Sequence, residues 1–253
     1  ETLQKVTGIT CYGDDIELPG MLQGKILWSD HPHAEILSID ASEAEKLPGV
    51  QVVITARDIP GKNQAGILVR DQPAIAAEKV RYIGDGLAAV FADSLEQAEA
   101  AVKLIRVEYR PLPGVFSPEE AALPGAPLVY DKGNLFHHAE IVRGDVASAY
   151  EDCAVVVEET FTTPVIEHGF LEPESGLGIP NEDGGVTIQI GSQCVFDDRK
   201  QLSEILDLPE EKIRVVQLPL GGAFGGKEDL IIQQYLALGA LKSKKPVKIV
   251  LCR

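Results

Sequence analysis

From residue 24 to residue 109, short apolar runs alternate with polar turns and one amphipathic stretch, a pattern that predicts an α/β unit. Residues 25–28 and 35–38 have the spacing of short strands. Residues 41–47 predict a helix of about two turns, stopped by Gly49. Residues 50–54 are largely β-branched and predict a buried strand. Residues 79–83 and 87–91 predict two more strands joined at Gly84-Asp85-Gly86, a turn signature. Residues 94–102 predict an amphipathic helix with Ser94 as its N-cap, and residues 105–109 a closing strand.

The pattern breaks after Arg110. Five prolines fall between Pro111 and Pro127, with Gly114, Gly125 and Gly133 nearby, and no packed element interior carries that many. Residues 113–139 therefore predict a linker. Beyond it, residues 154–161 (with Val155, Val156 and Val157 at their centre), 186–190 and 213–217 predict strands, and residues 197–206 a helix. Residues 228–242 are apolar on most sides and predict a buried helix. The chain opens at Glu1 without Met and stops at Arg253 on a strand pattern with no turn after it, which predicts a piece of a longer polypeptide.

Hydrophobic residues make up 45% and charged residues 25%, which excludes a disordered chain. The net charge of −16 argues against nucleic-acid and membrane-surface partners, because phosphate backbones and anionic lipids repel such a chain. No apolar run approaches the ~20 residues of a spanning helix, and no secretory signal opens the chain, so a cytoplasmic location is expected. Cys11, Cys153, Cys194 and Cys252 are widely spaced without CxxC, which argues against a zinc ribbon, an iron–sulfur cluster held by this chain, or a disulfide framework.

The chemistry concentrates in Gly221-Gly222-Ala223-Phe224-Gly225-Gly226-Lys227-Glu228, between a predicted strand and a predicted helix, where free backbone amides can grip an anion. The dinucleotide pattern GxGxxG fails at Ala223. The phosphate-loop pattern GxxxxGK[ST] fails at Glu228, where a carboxylate would repel phosphates. Four glycines in six positions are more than helix packing asks for, so a ligand loop is the reading preferred to a plain tight turn.

This loop resembles the molybdopterin-contacting loop of the xanthine dehydrogenase/aldehyde oxidase family, in its molybdenum-binding large subunit. Lys5-Val6-Thr7-Gly8 with Leu18-Pro19-Gly20-Met21 resembles the family's entry segment. Ser29-Asp30-His31-Pro32-His33-Ala34, Leu47-Pro48-Gly49-Val50, Lys79-Val80-Arg81-Tyr82-Ile83-Gly84 and Glu108-Tyr109-Arg110-Pro111-Leu112-Pro113 resemble its hammerhead domain. Arg143-Gly144-Asp145-Val146 and Glu167-His168-Gly169-Phe170-Leu171-Glu172-Pro173 resemble the start of its first molybdopterin domain. The resemblance implies an α+β fold: entry segment 1–20, hammerhead-type α/β domain 21–112, linker 113–139, and an incomplete α/β molybdopterin-binding domain 140–253.

It further implies a molybdenum-dependent oxidoreductase that hydroxylates a purine-like or other N-heterocycle with water as oxygen source. The cofactor would be molybdenum–molybdopterin, held through its own dithiolene with no direct protein ligand. Iron–sulfur clusters and FAD would lie on partner subunits or domains, and the complete enzyme would be a homo-oligomer. Gln193 matches the glutamine that hydrogen-bonds an oxo ligand of the metal, and Gly222, Ala223, Phe224 and Gly225 match residues lying against the cofactor. Glu228 matches the substrate-contacting position of purine-hydroxylating members; its bland alternative is a solvated acid at a helix start. His168 and Glu172 are expected to be buried structural groups under the cofactor floor. The catalytic general-base glutamate of the family is expected beyond Arg253, so that this piece alone is inactive. Two alternatives stay open: a non-catalytic module that docks the other subunits, and an aldehyde- or carbon monoxide-oxidising member of the same family.

Overall fold

The computed structural model describes residues 2–252; the outer limits of the expected spans, Glu1 and Arg253, lie outside the described residues. In chain order the elements are α1 (Thr2–Val6), β1 (Leu22–Trp28), β2 (Ala34–Asp40), α2 (Ser42–Glu45), β3 (Val50–Thr55), β4 (Lys79–Val80), β5 (Gly86–Ala92), α3 (Leu95–Val102) and β6 (Arg106–Pro111). They continue with α4 (Pro118–Ala121), α5 (Val146–Glu151), β7 (Ser175–Pro180), β8 (Val186–Ile190), α6 (Val195–Leu206), β9 (Ile213–Gln217), α7 (Gln233–Ser243) and β10 (Val247–Val250). The result is a mixed α/β fold. Contacts divide it into two units: one runs to Pro113 and resumes at His168, and the other is Gly114–Glu167.

The first unit is built on a seven-stranded sheet in the order β3-β5-β1-β10-β7-β8-β9, beside a three-stranded sheet β4-β2-β6. Pairs β1/β10 and β8/β9 are parallel and the others antiparallel. Strands from both sides of the 114–167 segment thus share one sheet. Helix α7 supplies Tyr235, Leu236, Ala237 and Ala240 to the main core, against Leu22, Ile26, Phe91, Ile188 and Ile249. Phe91 sets the spacing: a Cβ at Gly24 would come within 2.5 Å of its ring, and one at Gly239 within 2.4 Å. Helix α3 starts as its sequence predicts, with Ser94 and Gln97 capping each other's amides.

Several expected elements differ. Strand β4 covers only Lys79–Val80 and pairs with β2 rather than forming a hairpin with β5. The Asp85 carboxylate accepts the Arg81 amide at 2.6 Å, and its carbonyl accepts the Ser29 amide at 2.8 Å, so the Gly84-Asp85-Gly86 turn is tied to the end of β1. The buried helix starts at Gln233, not Glu228, because the Gln233 side chain accepts the Ile231 and Ile232 amides at 2.8 and 2.9 Å. Strand β7 went unpredicted. Its two glycines let α7 lie directly on it: a Cβ at Gly178 would come within 2.3 Å of the Leu236 carbonyl oxygen.

In the second unit, Asn134 is the organising residue. It accepts the Val129 amide and donates to the carbonyls of Ala121 and Pro127, gathering the proline-rich stretch around α4. The strand expected over residues 154–161 does not form. Val155, Val156 and Val157 are exposed and have no ladder partner among the described residues, and β-branched propensity alone does not hold a strand.

Candidate functional site

The glycine loop connects β9 to α7 and is shaped by its own backbone. Gly222, Phe224 and Gly225 have φ of +112°, +56° and +90°. The Gly226 amide donates to the Ala223 carbonyl at 2.9 Å, closing a turn over Phe224 and Gly225. Two glycines permit left-handed backbone. The other two permit close approach: a Cβ at Gly221 would meet Glu172 Cβ at 2.5 Å, and one at Gly226 would meet the His168 and Phe170 rings at 3.0 Å. All four glycines therefore have local reasons, and their number alone does not argue for a ligand.

What the loop presents does. Phe224 is a non-glycine residue in left-handed backbone, and its side chain is 72% exposed, while Ala223 beside it is buried. A bulky residue held in that region costs on the order of 1–3 kcal/mol and points to function. The amides of Gly222, Ala223 and Phe224 find no acceptor among the described residues.

Gln193, at the end of β8, faces the same loop. Its backbone amide donates to the Lys227 carbonyl at 2.8 Å, and its side-chain oxygen accepts the amides of Gly225 at 2.9 Å and Lys227 at 3.4 Å. Backbone amides only donate, so the oxygen must face the loop and the NH₂ group is left free on an exposed residue. Gln193 is thus bound to Gly225, on the loop that also carries Gly222 and Phe224. Glu228 follows in a bend, exposed and without a partner among the described residues, and it is not a helix residue.

Beneath the loop lies a set of buried charges that sequence reasoning only half identified. Lys227 is 2% exposed; its ammonium lies 3.2 Å from Glu172 Oε2 and 3.1 Å from the Glu172 carbonyl, and 4.7 Å from the Phe170 ring centre. Glu172 is half-buried with its side chain only 9% exposed, whereas His168, expected to be buried, is exposed: it opens the returning segment at the surface. Burial pushes the Glu174 carboxyl up to about 7, against the pull of Lys227. Burial also pushes Asp198 up to about 6, against the pull of Ser192 and Gln233. Glu174 and Asp198 carried no sequence signal; Asp198 sits where an ordinary N-terminal helix acid would. Burial first, then Glu228, Asp197, Asp198 and Asp229, push the Cys194 thiol up, toward its protonated form.

The donor set fits a metal group that brings its own sulfur ligands. It offers an outward NH₂, three free amides, an aromatic face and close backbone approach, and it requires no coordinating side chain.

Residues 7–113 match the family model described as aldehyde oxidase and xanthine dehydrogenase, a/b hammerhead domain, and residues 129–253 match the molybdopterin cofactor-binding domain. The chain is 49% identical over 245 residues to a probable xanthine dehydrogenase subunit of Bacillus subtilis, covering 97% of this chain and 33% of that protein. It is 36% identical over 253 residues to the nicotinate dehydrogenase large molybdopterin subunit of Eubacterium barkeri, covering 100% of this chain and 60% of that one. Among solved structures, the aldehyde oxidoreductase of Desulfovibrio gigas superposes with a TM-score of 0.93 at 30% identity, over 98% of this chain and 29% of that chain. The chain therefore spans between a third and three-fifths of the length of these two curated relatives. No helix among the described residues is long and apolar enough to cross a membrane.

Proposed function

The chain belongs to the aldehyde oxidase and xanthine dehydrogenase family, and from that premise we propose that it forms one wall of a molybdenum–molybdopterin site in an enzyme that hydroxylates an N-heterocycle. The observation that carries the reading is the outward NH₂ of Gln193 beside Phe224 and the free loop amides. When bound, the molybdenum–pterin group supplies two-electron redox chemistry with water as the oxygen source. Gln193 would help hold the group through its free NH₂, a donor that adds no charge. Gly222, Ala223, Phe224 and Gly225 would lie against the group and shield that side from water.

Glu228 is the substrate-facing residue in this reading. Its carboxylate is free to accept from a ring N–H or, once protonated in a closed site, to donate to a ring nitrogen. The relatives' names support this choice, since xanthine and nicotinate are both nitrogen heterocycles. Several relatives are described as subunits, and we assign iron–sulfur and FAD carriers as the partners of this chain, within a cytoplasmic homo-oligomeric enzyme.

The test is made on the whole protein that carries this chain. Metal and pterin analysis should find about one molybdenum and one pterin per chain, and dye-linked assays should show a purine or pyridine substrate preferred over an aromatic aldehyde. Absence of molybdenum overturns the cofactor assignment. A preference for the aldehyde overturns the heterocycle assignment alone.

A further inference from the structure

One largely buried carboxylate bonds both ends of the glycine loop. Glu172 Oε2 accepts the amide of Gly221, the first loop residue, at 2.7 Å, and the ammonium of Lys227, at the far end of the loop, at 3.2 Å. The Lys227 ammonium also reaches the Glu172 carbonyl, so the lysine is fixed to the backbone as well as to the charge. On the other side, Gly191 leaves the space the carboxylate occupies: a Cβ there would come within 3.3 Å of Glu172 Oε1. Gly191 stands two residues before Gln193. The side chain of Glu172 is therefore wedged between the strand end that carries Gln193 and the loop that carries Phe224.

We propose that Glu172 and Lys227 are positioning residues, a buried brace that holds the Gly222–Gly225 turn and Gln193 at the separation needed to receive the pterin–metal group without touching it. This rests on the cofactor reading given above. A buried ion pair is weak evidence for stability, because an apolar pair of similar volume often serves the fold as well or better; what such a pair fixes is geometry. Here it has little freedom, with Lys227 2% exposed and its counter-ion committed to the Gly221 amide. Burial pushes the neighbouring Glu174 up to about 7, and Glu172 is the carboxylate in direct contact with the ammonium, at 3.2 Å.

The experiment compares the wild-type whole protein with Glu172→Gln and Lys227→Met, all produced in cells that load the cofactor. Molybdenum and pterin are measured per folded chain, and folding is checked by circular dichroism and thermal melting. Glu172→Gln keeps volume and an acceptor for the Gly221 amide but removes the charge facing Lys227. The expected result is folded protein with about fivefold less molybdenum and pterin per chain, as for a binding surface that is formed only part of the time. Wild-type loading in both folded variants overturns the brace. If Lys227→Met does not fold, Glu172→Gln decides alone, and if neither folds, the pair serves the fold and the proposal fails. A wild-type protein without molybdenum instead overturns the cofactor reading on which the proposal depends.

Discussion

The side-chain oxygen of Gln193 lies 2.9 Å from the amide nitrogen of Gly225, and this contact decides which way the glutamine faces. It also gives Gln193 two separable tasks. The oxygen steadies the loop and the NH₂ is offered outward.

Glu and Ala substitutions separate those tasks. Gln193→Glu still accepts the Gly225 amide but has no donor to offer, so loading with cofactor should persist while kcat falls by roughly ten- to a hundredfold, the value of one charge-assisted hydrogen bond. Gln193→Ala removes both and should lower molybdenum content as well. Wild-type turnover by the glutamate variant would show that the outward NH₂ does nothing.

Phe224 should be almost dispensable for folding. It is 72% exposed in left-handed backbone, so Phe224→Gly relieves strain that offsets glycine's extra chain entropy and should destabilise by no more than about 1 kcal/mol. A core phenylalanine would lose about 3–5 kcal/mol on truncation. Urea denaturation of the variant measures the difference, and a core-sized loss would remove Phe224 from the cofactor face.

Glu228→Gln and Glu228→Val address substrate choice. If the carboxylate meets the polar edge of a heterocycle, its loss should cost that substrate about 2–3 kcal/mol in kcat/KM and leave an aromatic aldehyde unaffected. Equal losses on both substrates would return Glu228 to the status of a solvated surface acid.

The buried acids predict a pH dependence with a definite sign. Glu174 rises from its ordinary 4.5 to about 7, and Asp198 from 3.8 to about 6, so the folded state holds protons that the unfolded state releases. Their stabilisation is fully present below the unfolded values and is lost as pH climbs through the folded ones, on the order of 3 kcal/mol for each group. Melting temperature should therefore fall between about pH 5 and about pH 8. Burial is the main cause of both shifts; Glu172 and Asp198 add to it and Lys227 opposes it at Glu174, while Asp197 and Asp229 add to it and Ser192 and Gln233 oppose it at Asp198. Glu174→Gln, which cannot titrate, should flatten the upper part of that fall; an unchanged profile would mean that Glu174 is not the source.

Where local chemistry dictated the outcome, the sequence could be read directly. Strands β3, β5, β8 and β9 are rich in β-branched and other apolar residues, Ser94 and Gln97 form a self-contained cap, and the tight loop between β9 and α7 announces itself by its glycines. Elements that depend on a distant partner could not be read. Strand β7 looks like a loop until α7 is laid upon Gly178, and residues 154–161 look like a strand although nothing described pairs with them. The same division runs through the site. Gln193 and Phe224 stand in recognisable strings, whereas the link between Glu172 and Lys227 joins residues 55 positions apart that no periodicity connects.

The parallel pairing of β1 with β10 sets Leu22 opposite Val247, with most of the chain between them. Closing so long a loop is entropically costly and is repaid only after both strands are made, which places this sheet among high-contact-order, slow-folding topologies. During synthesis, β1 emerges early with β5 soon available on one side, while its other edge stays unpaired until residues 247–249 leave the ribosome. An exposed strand edge of that kind recruits other chains. The yield of this protein should therefore depend on how long that edge is shielded: slower growth temperature or chaperone supply should raise it more than any change at the glycine loop.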